Sequence, residues 1–173
     1  MLECSPPRLS ARLANPEDLK HFRRFDCGAE DYQQDLVRFL HEDAVTQAAR
    51  RYSTTYLFYD YAERPLAFVT LSCASIEPWD ELEDRDEIPV LLVEMLAVDR
   101  TNQQQGVGTE IMRWIRGKAD AMGVGCRFLA LYCNRRNASA QAFYRRQGFL
   151  EAPPRFDSGD ETLWLLDLAS AAS

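Results

Sequence analysis

Two glycines, Gly106 and Gly108, stand where a polar loop ends and an amphipathic helix is predicted to begin. The backbone N–H groups in the first turn of a helix have no partner within the helix, and they lie at the positive end of its dipole. Because glycine has no Cβ, a pyrophosphate could approach this backbone closely. The pattern predicts a phosphate-binding cradle, although a simple tight turn would have the same spacing. No Gly-Lys-Ser/Thr follows, which excludes a Walker loop, and the third glycine of a dinucleotide fingerprint is missing.

A carboxylate, Glu94, interrupts the apolar run that begins at Val90. An ionised side chain in such a strand is costly to bury unless it is paired or faces a wet cleft. Glu94 is therefore a candidate general base. The alternatives are a salt bridge or a side chain turned to solvent.

The hydrophobic pattern around these residues predicts one mixed α/β sheet with flanking helices. Proline, asparagine and glycine signals place helices at 16–25, 30–49, 106–122 and 137–147. Runs rich in β-branched and aromatic residues place strands at 8–13, 54–61, 66–74, 89–98, 128–133, 155–156 and 162–168. The chain contains no internal repeat and no interdomain linker, so residues 1–173 are expected to form a single domain.

Composition limits the class of protein. Apolar residues make up 46% of the chain and aromatic residues 11%, as in a folded globular protein. No apolar run approaches the roughly 20 residues that span a bilayer. The first residues have neither a basic start nor an apolar core, which argues against a secretion signal. We therefore expect a cytoplasmic protein that has no membrane partner.

Cysteines, histidines and net charge narrow the choice of partners. Five cysteines without a C-x-x-C spacing and two histidines, His21 and His41, argue against a zinc cluster or a disulfide framework. No metal is expected. The formal net charge of −7 argues against sequence-independent binding to nucleic acid or to anionic membranes.

Two motifs about thirty residues apart extend the glycine pattern. The first, Gln/Arg-x-x-Gly-x-Gly/Ala after Leu-Ala-Val-Asp, is met at Gln103, Gly106 and Gly108. The second, Asn…Phe-Tyr-x-x-x-Gly-Phe, is met at Asn137, Phe143, Tyr144, Gly148 and Phe149. With both motifs the chain resembles the GNAT superfamily of N-acetyltransferases, most closely over residues 88–150. The resemblance implies a GNAT fold and acetyl-CoA as the co-substrate.

The resemblance also implies where acetyl-CoA binds. The superfamily separates two parallel strands at a bulge, here near Leu96, and the pantetheine arm lies in the gap against the backbone of Leu96 and Val98. The pyrophosphate lies on amides from Gln104 to Thr109, while Asn137 holds the cofactor arm. The residues expected to bind the cofactor are Leu96, Ala97, Val98, Gln103, Gln104, Gln105, Gly106, Val107, Gly108, Thr109, Asn137 and Phe143.

The implied reaction is direct attack of a neutral amine on the thioester, which needs a base for the amine proton and an acid for the departing thiolate. Tyr144 is the expected acid, because a phenol with a pKa near ~10 can protonate a thiolate whose thiol has a pKa near ~8.5. Its alternative role is a helix aromatic that packs beside Phe143. Glu94 is the expected base, directly or through water. Tyr132 either lines the acceptor site or belongs to the core.

The acceptor is predicted to be a primary amine of a small molecule or a peptide. The acidic loop at 79–87 is either a solvated loop or a field that attracts a cationic amine. The segment Phe25-Asp26-Cys27-Gly28 resembles a bacterial GNAT subgroup that includes toxins acetylating aminoacyl-tRNA, which is the first alternative. That subgroup has a small residue and an arginine where this chain has Glu94 and Met95, and this departure favours the small-molecule or peptide acceptor. The second alternative is a non-catalytic acyl-CoA-binding regulatory module, and apolar edge strands would permit a homodimer.

Overall fold

The computed structural model describes residues 9–78 and 85–169, and all of its strands belong to one mixed sheet. The strands are β1 (Ser10–Leu13), β2 (Thr54–Tyr59), β3 (Pro65–Ile76), β4 (Ile88–Val98), β5 (Phe128–Asn134), β6 (Leu150–Glu151) and β7 (Glu161–Asp167). Their order in the sheet is β1-β2-β3-β4-β5-β7-β6. The prediction of a single mixed sheet with flanking helices is confirmed.

The helices lie between the strands at the places along the chain where helices were predicted. They are α1 (Pro16–Leu19), α2 (Asp31–Glu42), α3 (Ala44–Ala49), α4 (Val107–Ala121) and α5 (Ala138–Arg146). Short 3₁₀ turns cover Lys20–Phe22, Arg100–Asn102 and Pro154–Phe156. Within the described ranges, no helix is long and apolar enough to cross a membrane.

Three predicted elements differ from the structure. The helix expected at 16–25 is α-helical only as far as Leu19, and a 3₁₀ turn over Lys20–Phe22 follows. The helix expected at 30–49 is interrupted at Asp43, which ends α2 and precedes α3. The strand expected at 155–156 is a 3₁₀ turn, because Pro153 and Pro154 have no N–H to donate to a strand ladder. The strand that pairs with β7 on the side away from β5 is β6, which lies earlier in the chain, at Leu150–Glu151. It is too short to give a periodic signal in the sequence.

The described chain divides into two compact units, and the first comprises the described residues up to 71 together with 95–114. In it, β2 pairs antiparallel with β1 and with β3. Its core is a buried cluster rich in aromatic residues from the helices and the strands. The members are Phe22, Phe25, Cys27, Leu40, Ala44, Leu57, Tyr59, Phe68 and Ala97.

The second unit comprises residues 72–94 and 115–169, without the undescribed 79–84. In it, β4 runs parallel to β5, and β5 and β6 each pair antiparallel with β7. Its core is a smaller, mainly aliphatic cluster. The buried members are Val90, Ala130, Ala152, Leu163 and Leu165.

Candidate active site

The loop that follows β4, residues 99–109, is here named the cradle loop, and it is held in place by an acidic side chain. Asp99 Oδ1 accepts hydrogen bonds from the Thr101 N–H at 3.0 Å and from the Thr101 hydroxyl at 2.6 Å. Its Oδ2 accepts from the Asp26 N–H at 3.2 Å. The Arg100 N–H donates to the Asp26 carbonyl at 2.6 Å. The Phe25–Gly28 segment, noticed in the sequence only as a subgroup marker, therefore anchors this loop.

Gln103 ties the cradle loop to the same anchor. Its Nε2 donates to the carbonyl of Cys27 at 2.9 Å and to the carbonyl of Val98 at 3.0 Å. A glutamine fits this position because one terminal NH₂ can bridge two backbone acceptors. In this structure the side chain that the motif specifies at 103 fixes the backbone of the loop.

The backbone of the cradle loop turns through two left-handed residues. Gln104 has φ = 59° and Gly106 has φ = 84°. A residue other than glycine in this region costs on the order of 1–2 kcal/mol, so the position of Gln104 is strained. The strain at Gln104 has no signature in the sequence.

The start of α4 completes the cradle. The Glu110 N–H donates to the Gly106 carbonyl at 3.1 Å, which closes the first turn of the helix. A Cβ built at Gly106 would meet no atom within 4 Å, so open space lies in front of this backbone. The two left-handed residues, the helix start and the open space together fit a pyrophosphate group.

The part of β4 that precedes the loop alternates in burial. Ala97 is buried, whereas Leu96 and Val98 are partly exposed. The carbonyl of Val98 accepts from Gln103, as described above. Strand alternation thus leaves Leu96 and Val98 on the face opposite to the core cluster that holds Ala97.

In the second unit, the parallel pairing between β4 and β5 ends before either strand does. The pairs run from Val90 with Phe128 to Val93 with Leu131. On its other side, β5 remains paired with β7 as far as Asn134. Among the described residues, the last three of β5 therefore have ladder partners on one side, and the parallel pairing ends at Val93, ahead of the bulge expected near Leu96.

Tyr144 lies on α5 and is almost fully buried, with 8% of its surface exposed. Its ring packs against Phe143 at a centroid distance of 5.4 Å and against Phe149 at 5.7 Å. Burial, and to a smaller extent the nearby Cys133 thiol, raises the pKa of Tyr144 well above its usual value. The phenol therefore keeps its proton throughout the physiological range. Both roles predicted for this residue, aromatic packing and proton donation, are compatible with this environment.

Asn137 fixes the start of α5. Its Oδ1 accepts from the Ala140 N–H at 3.0 Å, as an N-cap residue does. The predicted cap is confirmed. Phe143 is partly exposed and contacts the Tyr144 ring. A further hydrogen bond, from Gln141 Nε2 to the Arg135 carbonyl at 2.9 Å, holds the helix to the turn before it.

Glu94 is exposed on β4 and forms no ion pair with any described residue, so the salt-bridge alternative does not apply, and exposure fits either a solvent-facing carboxylate or one in a wet cleft. Its Oε1 accepts a hydrogen bond of 2.6 Å from the hydroxyl of Ser72 on β3. Tyr132 on β5 is 38% exposed and therefore is not a core aromatic. Neither Ser72 nor the exposure of Tyr132 was evident from the sequence, since both depend on the register of neighbouring strands.

The predicted site residues fall into two sets. Leu96 to Val98 and Gln103 to Thr109 lie in the first unit, and Glu94, Asn137, Phe143 and Tyr144 lie in the second. Most of the predicted acidic loop, residues 79–84, lies outside the described residues. Among the described residues, no group of three or more His, Cys, Asp or Glu could hold a metal ion.

A family model described as the Acetyltransferase (GNAT) family matches residues 17–149. A comparison with curated proteins finds no match. The family match covers both motifs noted in the sequence and extends over residues of both units.

Several solved structures share the fold. A tyrosine-to-phenylalanine mutant of the toxin AtaT, bound to the C-terminus of the antitoxin AtaR and acetyl-CoA, has a TM-score of 0.69 at 23% identity, over 94% of this chain and 95% of that chain. AtaT complexed with acetyl-methionyl-tRNAfMet has a TM-score of 0.68 at 21% identity, over 95% and 98%. The KacTA–DNA complex has a TM-score of 0.64 at 25% identity, over 95% and 96%.

These comparisons correct one prediction. A small-molecule or peptide acceptor without a nucleic-acid partner was expected, and this is wrong, because the similar structures contain antitoxin, tRNA and DNA. The physical reason is that net charge is a sum over the whole chain. Residues 79–87 contain six acids and one arginine, a net −5 of the total −7. Contact with phosphate depends more on the local distribution of charge than on that sum.

Proposed function

The chain belongs to the acetyltransferase (GNAT) family, and we propose that it is a toxin-type enzyme that acetylates the amino group of aminoacyl-tRNA. The general activity follows from the family: the chain is an acetyl-CoA-dependent N-acetyltransferase. The observation that carries the choice of acceptor is the similarity, over 95% of this chain, to AtaT complexed with acetyl-methionyl-tRNAfMet.

The cradle loop is the proposed site for the pyrophosphate of acetyl-CoA. The amides of Gln104 to Thr109 would face the phosphates, and Gln103 would hold the loop in the required conformation. Leu96, Ala97 and Val98 would present strand backbone to the pantetheine arm. Asn137 and Phe143 are proposed cofactor contacts as well. Bound there, acetyl-CoA supplies a thioester carbonyl that an amine can attack.

Tyr144 is the proposed general acid. The phenol is protonated at physiological pH, so the hydroxyl is available to donate to a thiolate as the C–S bond breaks. The packing of its ring between Phe143 and Phe149 fixes the direction of the hydroxyl without a polar partner. Among the described residues, the Tyr144 hydroxyl has no hydrogen-bond partner that would compete for this proton.

Glu94 is the proposed base for the amine. Its carboxylate is exposed, and the Ser72 hydroxyl occupies one of its two oxygens. It would accept a proton from the acceptor amine directly or through one water. The nitrogen would then be neutral and could attack the thioester carbonyl.

The arginine content supports an RNA acceptor. All but two of the 20 basic residues are arginines, whose planar guanidinium suits phosphate. Arg50 and Arg51, at the end of α3, are exposed, and within the described residues neither has an acidic partner. By contrast, Arg135 is ion-paired with Asp157. We propose that Arg50 and Arg51 contact the RNA backbone.

We further propose that residues 1–173 act as one acetyltransferase domain in the cytoplasm, where acetyl-CoA and charged tRNA meet. A protein antitoxin is the corresponding partner, as AtaR is for AtaT. Growth arrest on expression of the wild type, relieved by Tyr144→Phe, would support the toxin proposal. Normal growth under expression of active enzyme would argue against it.

The direct test offers radiolabelled acetyl-CoA to the purified enzyme with four acceptors: methionyl-tRNA, deacylated tRNA, formyl-methionyl-tRNA and free methionine. Label is expected on methionyl-tRNA and on none of the other RNAs, because only its amino group is free. Equal labelling of the formyl-methionyl and deacylated tRNAs would exclude the amino group as the target. Labelling of free methionine alone would exclude RNA as the acceptor.

A further inference from the structure

On one face of the sheet in the second unit, apolar side chains are followed by polar ones at the next position of three neighbouring strands. Residues on this face belong to the aliphatic core cluster in all four strands that meet there. They are Ala74 and Ile76 on β3, Val90 and Leu92 on β4, Phe128 and Ala130 on β5, and Leu163 and Leu165 on β7. One step along the first three strands, the face carries Ser72, Glu94 and Tyr132 instead. We name these three residues the polar row.

Strand alternation and register place the polar row on this face. Successive side chains of a strand point to opposite faces, so residues two apart share a face. Glu94 therefore lies on the face of Leu92, and Ser72 on the face of Ala74. Tyr132 pairs directly with Leu163 of the core cluster, which fixes its face independently. The hydrogen bond of 2.6 Å between Ser72 Oγ and Glu94 Oε1 confirms that these two side chains meet.

The chemistry of the polar row suits a small cation. Within the described residues, Glu94 has no basic partner, and its Oε2 accepts no hydrogen bond. The Ser72 hydroxyl holds Oε1 and thereby limits the rotamers of a side chain that would otherwise move freely in solvent. Tyr132 adds an exposed phenol, whose oxygen accepts and whose ring face attracts cations.

We propose that the polar row is the acceptor subsite, which takes the α-ammonium group of the aminoacyl moiety. Glu94 Oε2 binds the ammonium, Tyr132 contacts it from the neighbouring strand, and Ser72 is a positioning residue that acts through Glu94. The proposal rests on the proposed function for the identity of the acceptor. It goes beyond that function by adding Ser72 and Tyr132, and by assigning a binding role that precedes proton removal.

The test measures steady-state kinetics of Ser72→Ala with two acceptors, methionyl-tRNA and methionine methyl ester. Removal of one hydrogen bond to a charged group is expected to raise the acceptor KM about tenfold. The KM for acetyl-CoA should not change, and the rise should be equal for both acceptors because both carry the same ammonium. Ser72→Thr keeps the hydroxyl and should restore the acceptor KM. Tyr132→Phe, which removes only the phenolic oxygen, should raise it by a smaller factor.

Ser75→Ala is the matched control, since Ser75 is an exposed serine on the same strand that alternation places on the opposite face. Its acceptor KM should equal that of the wild type. If Ser72→Ala behaves like Ser75→Ala, or changes the KM of acetyl-CoA equally, the polar row is not the acceptor subsite.

The two acceptors separate the subsite from the proposed function. Acetylation of the ester but not of methionyl-tRNA would overturn the proposed function, while the KM shift with the ester would still support the subsite. A wild-type enzyme that acetylates neither acceptor would overturn both proposals.

Discussion

The cradle loop in the first unit and helix α5 in the second are organised in contrasting ways. The cradle loop presents backbone: two left-handed residues, Gln104 and Gly106, orient N–H groups, and the side chain of Gln103 is used to hold carbonyls of the protein itself. Helix α5 presents one side chain, Tyr144, whose pKa is raised because its surroundings are apolar.

Binding of acetyl-CoA and proton donation to the thiolate therefore depend on different physical properties of this chain. An anion site made of backbone N–H groups depends on conformation, so it is damaged by any residue that cannot adopt the required φ. Proton donation by a buried phenol depends on one oxygen atom, so it is lost on a substitution to phenylalanine that keeps the ring and its packing. Substitutions in the two regions should therefore change different kinetic constants.

Tyr144→Phe should have the largest effect on activity. Removal of the hydroxyl is expected to lower kcat about 10²–10⁴-fold, the range of a lost general acid. The KM for acetyl-CoA should stay within about twofold, because the ring still packs against Phe143 and Phe149. Steady-state kinetics at saturating acceptor measures both constants. An unchanged kcat would show that Tyr144 serves packing only.

Arg50→Gln/Arg51→Gln should weaken binding of the RNA while leaving acetyl-CoA binding intact. Loss of two phosphate contacts is expected to raise the KM for methionyl-tRNA about tenfold and to reduce the salt slope of log K by about 1–2. The KM for methionine methyl ester should not change, since the ester has no phosphate. Arg38→Gln/Arg64→Gln is the control, because both arginines are already ion-paired with acids. Equal effects of the two double variants would contradict a role for Arg50 and Arg51.

Gln103→Ala tests whether the Gln103 side chain is the main support of the cradle loop. The variant loses two hydrogen bonds to backbone carbonyls, each worth about 0.5–1.5 kcal/mol. The Kd of acetyl-CoA is expected to rise about fivefold to tenfold, with little change in kcat. Gln105→Ala, which removes one exposed hydrogen bond to Thr101, should have a smaller effect. A larger effect at Gln105 would place the main support of the loop elsewhere.

The pH dependence of stability provides a test of the surroundings of Tyr144. Because burial raises its pKa in the folded state, Tyr144 keeps its proton above pH 10, where the unfolded chain releases its own. Its contribution to the free energy of unfolding is fully present below pH 10 and is lost as pH rises further. Denaturant titrations between pH 8 and 11 should therefore show a steeper alkaline loss for the wild type than for Tyr144→Phe. Parallel curves would indicate an unperturbed phenol.

Elements with a strong hydrophobic periodicity could be predicted from the sequence, whereas elements without one could not. The apolar side of α4, with Val107, Ile111, Ile115 and Ala119, is buried as the spacing predicts, whereas Met122, expected on the same side, lies just after the helix and is 37% exposed. The break at Asp43 was missed because α2 and α3 continue the same helical pattern. Strand β6 was missed because two residues cannot display a period.

For the site, motif residues were accessible from sequence and their supports were not. Gln103, Gly106 and Asn137 stand at fixed spacing and could be identified. The contact between Gln103 and Cys27 joins residues 76 positions apart, and Ser72 reaches Glu94 only through the register of two strands. Such contacts depend on tertiary packing, which one sequence does not display. The acceptor was mispredicted because the net charge of −7 is concentrated at 79–87.

The most direct test of the contrast between the two regions is calorimetric titration of acetyl-CoA into three proteins. The wild type and Tyr144→Phe should bind with the same affinity. Gly106→Glu/Gly108→Glu should lose binding while remaining folded by circular dichroism. Its two added carboxylates repel the pyrophosphate, and any side chain at position 106 is strained at φ = 84°. Equal binding by all three proteins would contradict the assignment of acetyl-CoA to the cradle loop.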